Sequence, residues 1–529
     1  MSSTFRRAAH DYEPLPRTSL DDDHVELKVP HPSWTRRLRD AVSGVLLPSV
    51  KNISNPSAYA HLITPRRRKR SLLRLIYYSI FSIPYLCLAL VLVVGIFFPS
   101  YTHRPGHYDK LRQIAQSSTS PGRANIRHEK VFIAASIYEV NGTLSDGAWG
   151  QSVLDLVDLL GPDNVYLSIY ENDPDALTKA SLAQLKSKVT CNASVVFEDL
   201  DLATIPRTEL PSGETRIKRI AFLAEVRNRA LAPIDSVDVA FDRLLFINDV
   251  NFDPVEAAQL LFSTNVDANG RAEYGAACAV DFINPFKFYD RFATRDMEGH
   301  NMGIPFYPWF TSAGDHVSRS DVMSGSDAVR VRSCWGGMTA FEAKWFQDLR
   351  ASHANEAAQQ PTSPLRFRYE EETYWESSEC CLINADLQYR RTGKGMPEDS
   401  GIYMNPYVRV AYDTKTLSWL SLSRRPERLY SLIHDILNHW VGFPQYDPRQ
   451  TEEPGTTIND RIWIYDHPKK ALAPDPSNED LAGHWEDQQR IAKPGGFCGG
   501  RNLLVLNEKP EDGEGKWRRI APPSMPIGA

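Results

Sequence analysis

The sequence predicts an α/β protein: a mostly parallel sheet with flanking helices, preceded by one membrane-spanning helix. Three observations predict it. Between residues 131 and 282, short apolar runs alternate with amphipathic stretches, the pattern of βαβ units. Leu75 to Phe98 is almost purely apolar and uncharged, and exceeds the ~20 residues needed to cross a bilayer. Leu244 to Asp253, LLFINDVNFD, turns abruptly from apolar to polar and acidic. That is the signature of a buried strand delivering side chains to the carboxyl edge of a sheet, where α/β proteins bind ligands.

Of the 529 residues, 1 to about 60 are polar and rich in Pro, Ser and Asp, and 1–74 read as a disordered cytosolic tail. The basic run Arg66 to Arg70, with Arg74, stands directly before the apolar segment and should stay cytosolic. The segment starts too far from Met1 for an ordinary signal peptide. Pro84 within it is tolerated in a membrane helix. These features give a type II protein with residues 75–98 as anchor, 99–128 as stem, 129–425 as body and 426–529 as a C-terminal extension. Asn141-Gly142-Thr143 and Asn192-Ala193-Ser194 are glycosylation sequons on the luminal side, while Asn52-Ile53-Ser54 falls on the cytosolic side. Of seven cysteines, Cys87 lies in the span; the others can pair in an oxidising compartment, with connectivity left open. No Cys/His spacing suggests zinc. A net charge of −6 gives no nucleic-acid-binding surface.

Within the body, Val131–Tyr138, Val165–Tyr170, Val195–Glu198, Leu244–Ile247 and Tyr274–Phe282 read as strands. Ala148–Leu160, Asp175–Lys188, Arg216–Leu231 and Pro254–Phe262 read as helices. After residue 283 the alternation fades into an aromatic-rich stretch. Arg330–Phe341 reads as a strand leading into the Gly336-Gly337 turn. The region after about 425 carries little readable chemistry.

Several phrases together carry a family likeness: LAEVRNRAL at 223–231, LLFINDVNFD at 244–253, SCWGGMTAF at 333–341, ESSECCLINADL at 376–387 and YMNPYVRVAYD at 403–413. In this order, behind a type II anchor, they resemble the fungal cryptococcal mannosyltransferase-like family, glycosyltransferase family 69, over roughly 130–425. The resemblance implies a GT-A-like, Rossmann-type mixed sheet and α-1,3 transfer of mannose from GDP-mannose with retention. It also implies a glycan acceptor of fungal cell-surface polysaccharide or glycoprotein, and residence in the Golgi or another secretory membrane.

Such enzymes commonly hold the donor diphosphate with Mn²⁺ or Mg²⁺ on an Asp-x-Asp motif, and hard oxygen ligands suit either ion. Here Ile247-Asn248-Asp249 stands in that place, so the leading carboxylate is missing. Asp249 is the first metal candidate, with Asn251 in support and Asn248 as a donor contact. The alternative is that Asp249 satisfies backbone amides at the strand end; Asp253 reads as the cap of the next helix. Arg227 offers a planar fork for phosphate and Asn228 an edge for base or ribose. Trp335 with Gly336 and Gly337 would cover a sugar and let backbone approach it. Glu379 and Asp386, seven residues apart, are the candidates for stabilising or attacking the anomeric carbon, or for orienting the acceptor. A donor with another base, or a non-catalytic subunit in a complex with other glycosyltransferases, fits the same residues.

Overall fold

The computed structural model describes residues 72–210, 213–347, 363–465, 483–508 and 515–525. Most of the predicted cytosolic tail, the basic run and Asn52 lie outside them. Leu72–Phe97 forms α1, and among the described residues it alone is long and apolar enough to cross a membrane. The chain divides at Leu92/Val93, with most of α1 in one unit and the last turn of α1 in the other, with the body.

The body opens earlier than the sequence predicts. Gly106–Ser117, within the expected stem, is a helix, α2, with Tyr108, Leu111 and Ala115 buried. Then follow β1 (Val131–Ile137), α3 (Ala148–Leu160), β2 (Val165–Asn172), α4 (Ala176–Lys188) and β3 (Asn192–Glu198). A hairpin of β4 (Arg207–Glu209) and β5 (Thr215–Ile217) takes the start of the expected 216–231 helix, leaving α5 as Arg219–Leu231. Next come β6 (Arg243–Ile247), α6 (Pro254–Ser263), β7 (Ala276–Asn284), β8 (Lys287–Phe288), α7 (Val317–Ser324), β9 (Val329–Arg330) and β10 (Met338–Glu342). β10 follows the Gly336-Gly337 turn rather than leading into it. The chain continues through β11 (Trp375–Ser377), α8 (Glu379–Thr392), β12 (Ile402–Ala411), α9 (Thr414–Ser423) and α10 (Ser431–Val441). It ends with β13 (Thr457–Tyr465), β14 (Gly483–Ile491), β15 (Gly499–Arg501), β16 (Leu504–Leu506) and β17 (Trp517–Arg519).

The main sheet has the order β3-β2-β1-β6-β10-β7-β12-β9, with β8 beside β7. β3, β2, β1 and β6 run parallel, β7 and β12 are parallel to each other, and β10 is antiparallel between β6 and β7. The result is a mixed sheet with helices on both faces. The central strands are buried on both faces, which is why they read as unbroken apolar runs. Val131, Ile133 and Ala135 of β1 join one core with α3 and α6, while Phe132 and Ala134 join the other with α5 and α8. β1 hands the chain to β2 on one side, and β6 returns on the other. The resulting crevice between β1 and β6 is the switch point of the sheet.

The extension is built into this body. Lys218 bridges to Val505 beside β5, β15 pairs with β11, and a Cys381–Cys498 disulfide joins α8 to the turn before β15. A second disulfide, Cys278–Cys334, joins β7 to the strand-to-turn segment before β10, and Cys191 and Cys380 are free. The sequon asparagines Asn141 and Asn192 are both exposed.

Arg409 of β12, with no side-chain exposure, is paired through both guanidinium nitrogens with Glu427, the Nη2–Oε2 bond measuring 2.9 Å. Breaking a buried pair strands a charge, whereas replacing both partners with apolar groups does not. Glu427→Ala is therefore expected to lose about 3–5 kcal/mol in denaturant unfolding. The double variant Arg409→Met/Glu427→Leu should lose far less.

Candidate functional site

At the switch point the end of β6 is held in one geometry. The Asn248 amide donates to the Gly337 carbonyl (2.9 Å), and its own carbonyl accepts from Trp149 Nε1 (2.9 Å). Its Oδ1 accepts from Arg227 Nη1 at 3.0 Å. Gly336 and Gly337 allow the approach. Both have positive φ, and a Cβ on Gly336 would lie 1.9 Å from the Ala279 carbonyl oxygen. With Asn248 tied on these sides, Asp249 is carried past the strand end, half-buried, into a cavity of about 440 Å³. Asn251, bonded through its backbone to Ala411 (2.7 and 3.0 Å), lines the same cavity. Asp253 caps α6, accepting from the Val255 and Glu256 amides.

Arg227 also reaches the cavity wall, but its charge is directed inward. Its Nε donates to Glu379 Oε1 at 2.9 Å, and the guanidinium lies 4.8 Å from the centre of the Trp335 ring. Burial works against that charge, and Cys380, Glu379 and Asp290 outweigh it, so the group is held above its ordinary pKa. Glu379 is 3% exposed and does not line the cavity.

The other sequence candidates lie elsewhere. Asn228 exchanges two hydrogen bonds with the Phe367 backbone (2.8 and 2.9 Å), fastening α5 to the segment before β11. Asp386 is paired with Arg368 at 2.7 and 3.0 Å. Although Glu379 and Asp386 share α8, they serve different arginines. Trp335, Gly336 and Gly337 form the floor beneath Asn248 and touch no cavity surface. Of the ten sequence candidates, Arg227, Asn248, Asp249 and Asn251 come together in the cavity.

Sequence reasoning missed the rest of the wall. Lys516 and Trp517 of the C-terminal segment line it, beside Tyr138 and Phe222. Lys516 Nζ sits 4.8 Å from the Tyr138 ring centre and 5.2 Å from that of Phe222. Trp517 meets Phe222 edge-on at 5.7 Å. Burial lowers the Lys516 pKa, and Asp173 and Glu171 pull it back. No local signal marks these residues, because their neighbours lie hundreds of positions upstream.

Beside the lining residues Asn172 and Tyr412 stand two buried carboxyls with raised pKa values, Glu171 and Asp281. Burial pushes Glu171, at the end of β2, up to about 9, and the nearby Glu139 and Asp249 charges add to it, against a backbone bond from Glu139. Its Oε2 has no hydrogen-bond partner among the described residues. Burial and Asp290 raise Asp281 to about 8, and Tyr412 Oη donates to Asp281 Oδ2 at 2.9 Å. Among the described residues no group of three or more His, Cys, Asp and Glu side chains is placed to hold an ion alone. A half-buried Asp249 in an open cavity suits an ion that takes its remaining ligands from substrate phosphates and water, as Mg²⁺ commonly does.

Residues 130–386 match the family model described as cryptococcal mannosyltransferase 1. No curated protein sequence matches the chain. Among solved structures it is similar to the mannosyltransferase PcManGT of Pyrobaculum calidifontis, solved with GDP-Man and Mn²⁺: 9% identity, 71% of this chain and 76% of that one, TM-score 0.29. It is also similar to mannosyl-3-phosphoglycerate synthase of Rubrobacter xylanophilus, at 12% identity, 75% and 94% coverage and TM-score 0.28. Glucosyl-3-phosphoglycerate synthase of Mycobacterium tuberculosis, solved with Mg²⁺ and UDP, gives 13% identity, 68% and 91% coverage and TM-score 0.27. Likeness this loose assigns no residue a role.

Glu171 carries a folded pKa above its unfolded value of 4.5. Its contribution to stability is thus full below that value and is lost as pH rises toward 9. Glu171→Gln keeps the neutral shape, so it should flatten this slope. Urea unfolding at about pH 5 and about pH 8.5 should show the variant gaining on the parent by a few kcal/mol at the higher pH.

Proposed function

We propose that this chain, whose residues 130–386 belong to the cryptococcal mannosyltransferase-like family, transfers mannose from GDP-mannose to a glycan acceptor. The linkage is α-1,3 with retention, the acceptor a fungal cell-surface polysaccharide or glycoprotein glycan. α1 anchors the chain as a type II protein with its body in the lumen of the Golgi. The observation that carries the reading is Asp249. It is the carboxylate that the end of β6 presents to a cavity at the sheet's switch point, in a chain matching a mannosyltransferase family.

In this reading Asp249, supported by Asn251, holds a divalent cation together with the donor diphosphate. The ion supplies charge neutralisation for the leaving group. Lys516, half-buried against aromatic rings, meets remaining phosphate charge, and Tyr138, Phe222 and Trp517 offer apolar faces to base and ribose. Arg227 is a positioning residue, since Glu379 and Asn248 occupy its guanidinium. Glu379 acts through it.

The carboxylates lining the cavity are Glu139, Asp249 and Asp413. Glu139 accepts from the Leu144 and Ser145 amides and the Ser145 hydroxyl, and Asp413 caps α9. With both engaged, departure and attack on one face of the sugar fit the site better than a carboxylate nucleophile. A second reading, a non-catalytic subunit of a glycan-assembly complex, draws on Asn248 standing where a leading carboxylate would serve.

The test uses the full chain in detergent or nanodiscs, with a panel of nucleotide sugars, with and without Mn²⁺. Turnover is expected with GDP-mannose and not with UDP-sugars. Asp249→Ala, with its unfolding curve intact, should lose roughly 10²–10³-fold in kcat/KM. Lys516→Ala should raise KM more than it lowers kcat. Neither turnover nor donor binding across the panel would leave the subunit reading standing.

A further inference from the structure

α10 is amphipathic the wrong way round for a water-facing helix. Leu432, Ile433, Ile436 and Trp440 are 66%, 53%, 67% and 79% exposed, whereas His434 and Asn438 are buried. At ~100° per residue the four apolar side chains share one face and the two polar ones lie opposite. The inward polar face is fully engaged. Asn438 Oδ1 accepts from the Ile304 amide (2.6 Å), and His434 sits between the Ile304 carbonyl (3.1 Å) and Arg319 Nη1 (2.9 Å). These bonds fix which side of α10 looks outward, so the exposed apolar face is built in. α9 adds Trp419 and Leu422, 50% and 56% exposed. Large apolar side chains exposed together on one helix face mark something that covers them.

Its position names the cover. Arg425, between α9 and α10, donates from Nε to the Gly95 carbonyl (3.0 Å), and its own carbonyl accepts from the Ser100 amide (3.3 Å). The apolar face thus adjoins the last turn of α1, where Ile96, Phe97 and Phe98 are themselves exposed. Lys415, Arg425 and Arg428 are exposed on the same segment. Tryptophans on an apolar face with basic residues alongside suit the headgroup layer of a bilayer. We propose that α9 and α10 form a second membrane contact, lying in the interface of the leaflet that α1 leaves and holding the body against it. This rests on the anchor reading and not on the catalytic one.

The experiment reconstitutes the full chain in phosphatidylcholine vesicles containing some phosphatidylserine, with an environment-sensitive maleimide fluorophore at one cysteine. Cys380 is buried and stays unlabelled. Cys87 in a Cys191→Ser background reports the anchor. Ile436→Cys in a Cys87→Ser/Cys191→Ser background reports α10, and Lys179→Cys in that background, exposed on α4, is the aqueous control. Lipids brominated on their acyl chains should cut emission about twofold at 87 and 436 and leave 179 unchanged. Quenching at 87 without quenching at 436 overturns the proposal alone. No quenching at 87 overturns the anchor and the proposal together. A label at 436 shielded from aqueous iodide yet untouched by brominated lipid means a protein covers the face, and also overturns it.

Discussion

The geometry of the cavity depends on one buried charge, the Arg227 guanidinium. It touches three separate parts of the fold: Glu379 in the first turn of α8, Asn248 at the end of β6, and the Trp335 ring before the glycine turn. A charge without water requires partners on every side, and a misplaced one is expensive. Glu379 is well suited to the task. Its carboxylate sits at the N-terminal end of α8, where the helix dipole favours negative charge. Buried ion pairs add little net stability over apolar packing. What this one contributes is a single arrangement of α5, β6 and α8, and thereby a single exit direction for Asp249.

This explains which parts of the site were legible in the sequence. Val131, Leu244 and their neighbours read as strands because both of their faces are buried, and the change of character at Asn248 marks a strand end. The same logic found Asp249 and, through the helix before β6, Arg227. It assigned Arg227 to phosphate because a guanidinium on an amphipathic helix carries no sign of its partner. Glu379 lies 152 positions away, and only the packing of α8 against α5 brings the two together. Asn228 is taken up by a distant partner for the same reason. Its side chain bonds the backbone of Phe367, 139 positions away, a partner that no local motif expresses. β10 was misjudged because a glycine turn can either follow or precede a strand, and alternation alone does not give direction.

Glu171 and Asp281 stand behind the cavity surface, next to the lining residue Asn172 and bonded to the lining residue Tyr412 respectively. Glu171 and Asp281 are raised to about 9 and about 8, so at neutral pH they present protons rather than charges. Their neutrality is partly Asp249's doing in the case of Glu171, where its charge is among the causes of the shift. Burial is the largest cause of the Glu171 shift, and the Asp249 charge is a smaller one.

The family match ends at residue 386, whereas the cavity does not. Its floor, from β1, β6 and α5, lies within the matched stretch. One wall comes from Tyr412, Asp413 and Thr414 after β12, and another from Lys516 and Trp517, near the end of the chain. The Lys218–Val505 bridge and the Cys381–Cys498 disulfide carry the terminal segment back over α5 to make that wall. Floor and walls meet different parts of any elongated ligand. Asp249 stands at the floor, and the walls add aromatic rings and one lysine. The family match thus covers the floor of the cavity and the Tyr138 and Phe222 part of its wall, while the Lys516 and Trp517 part is built by residues that the match does not reach.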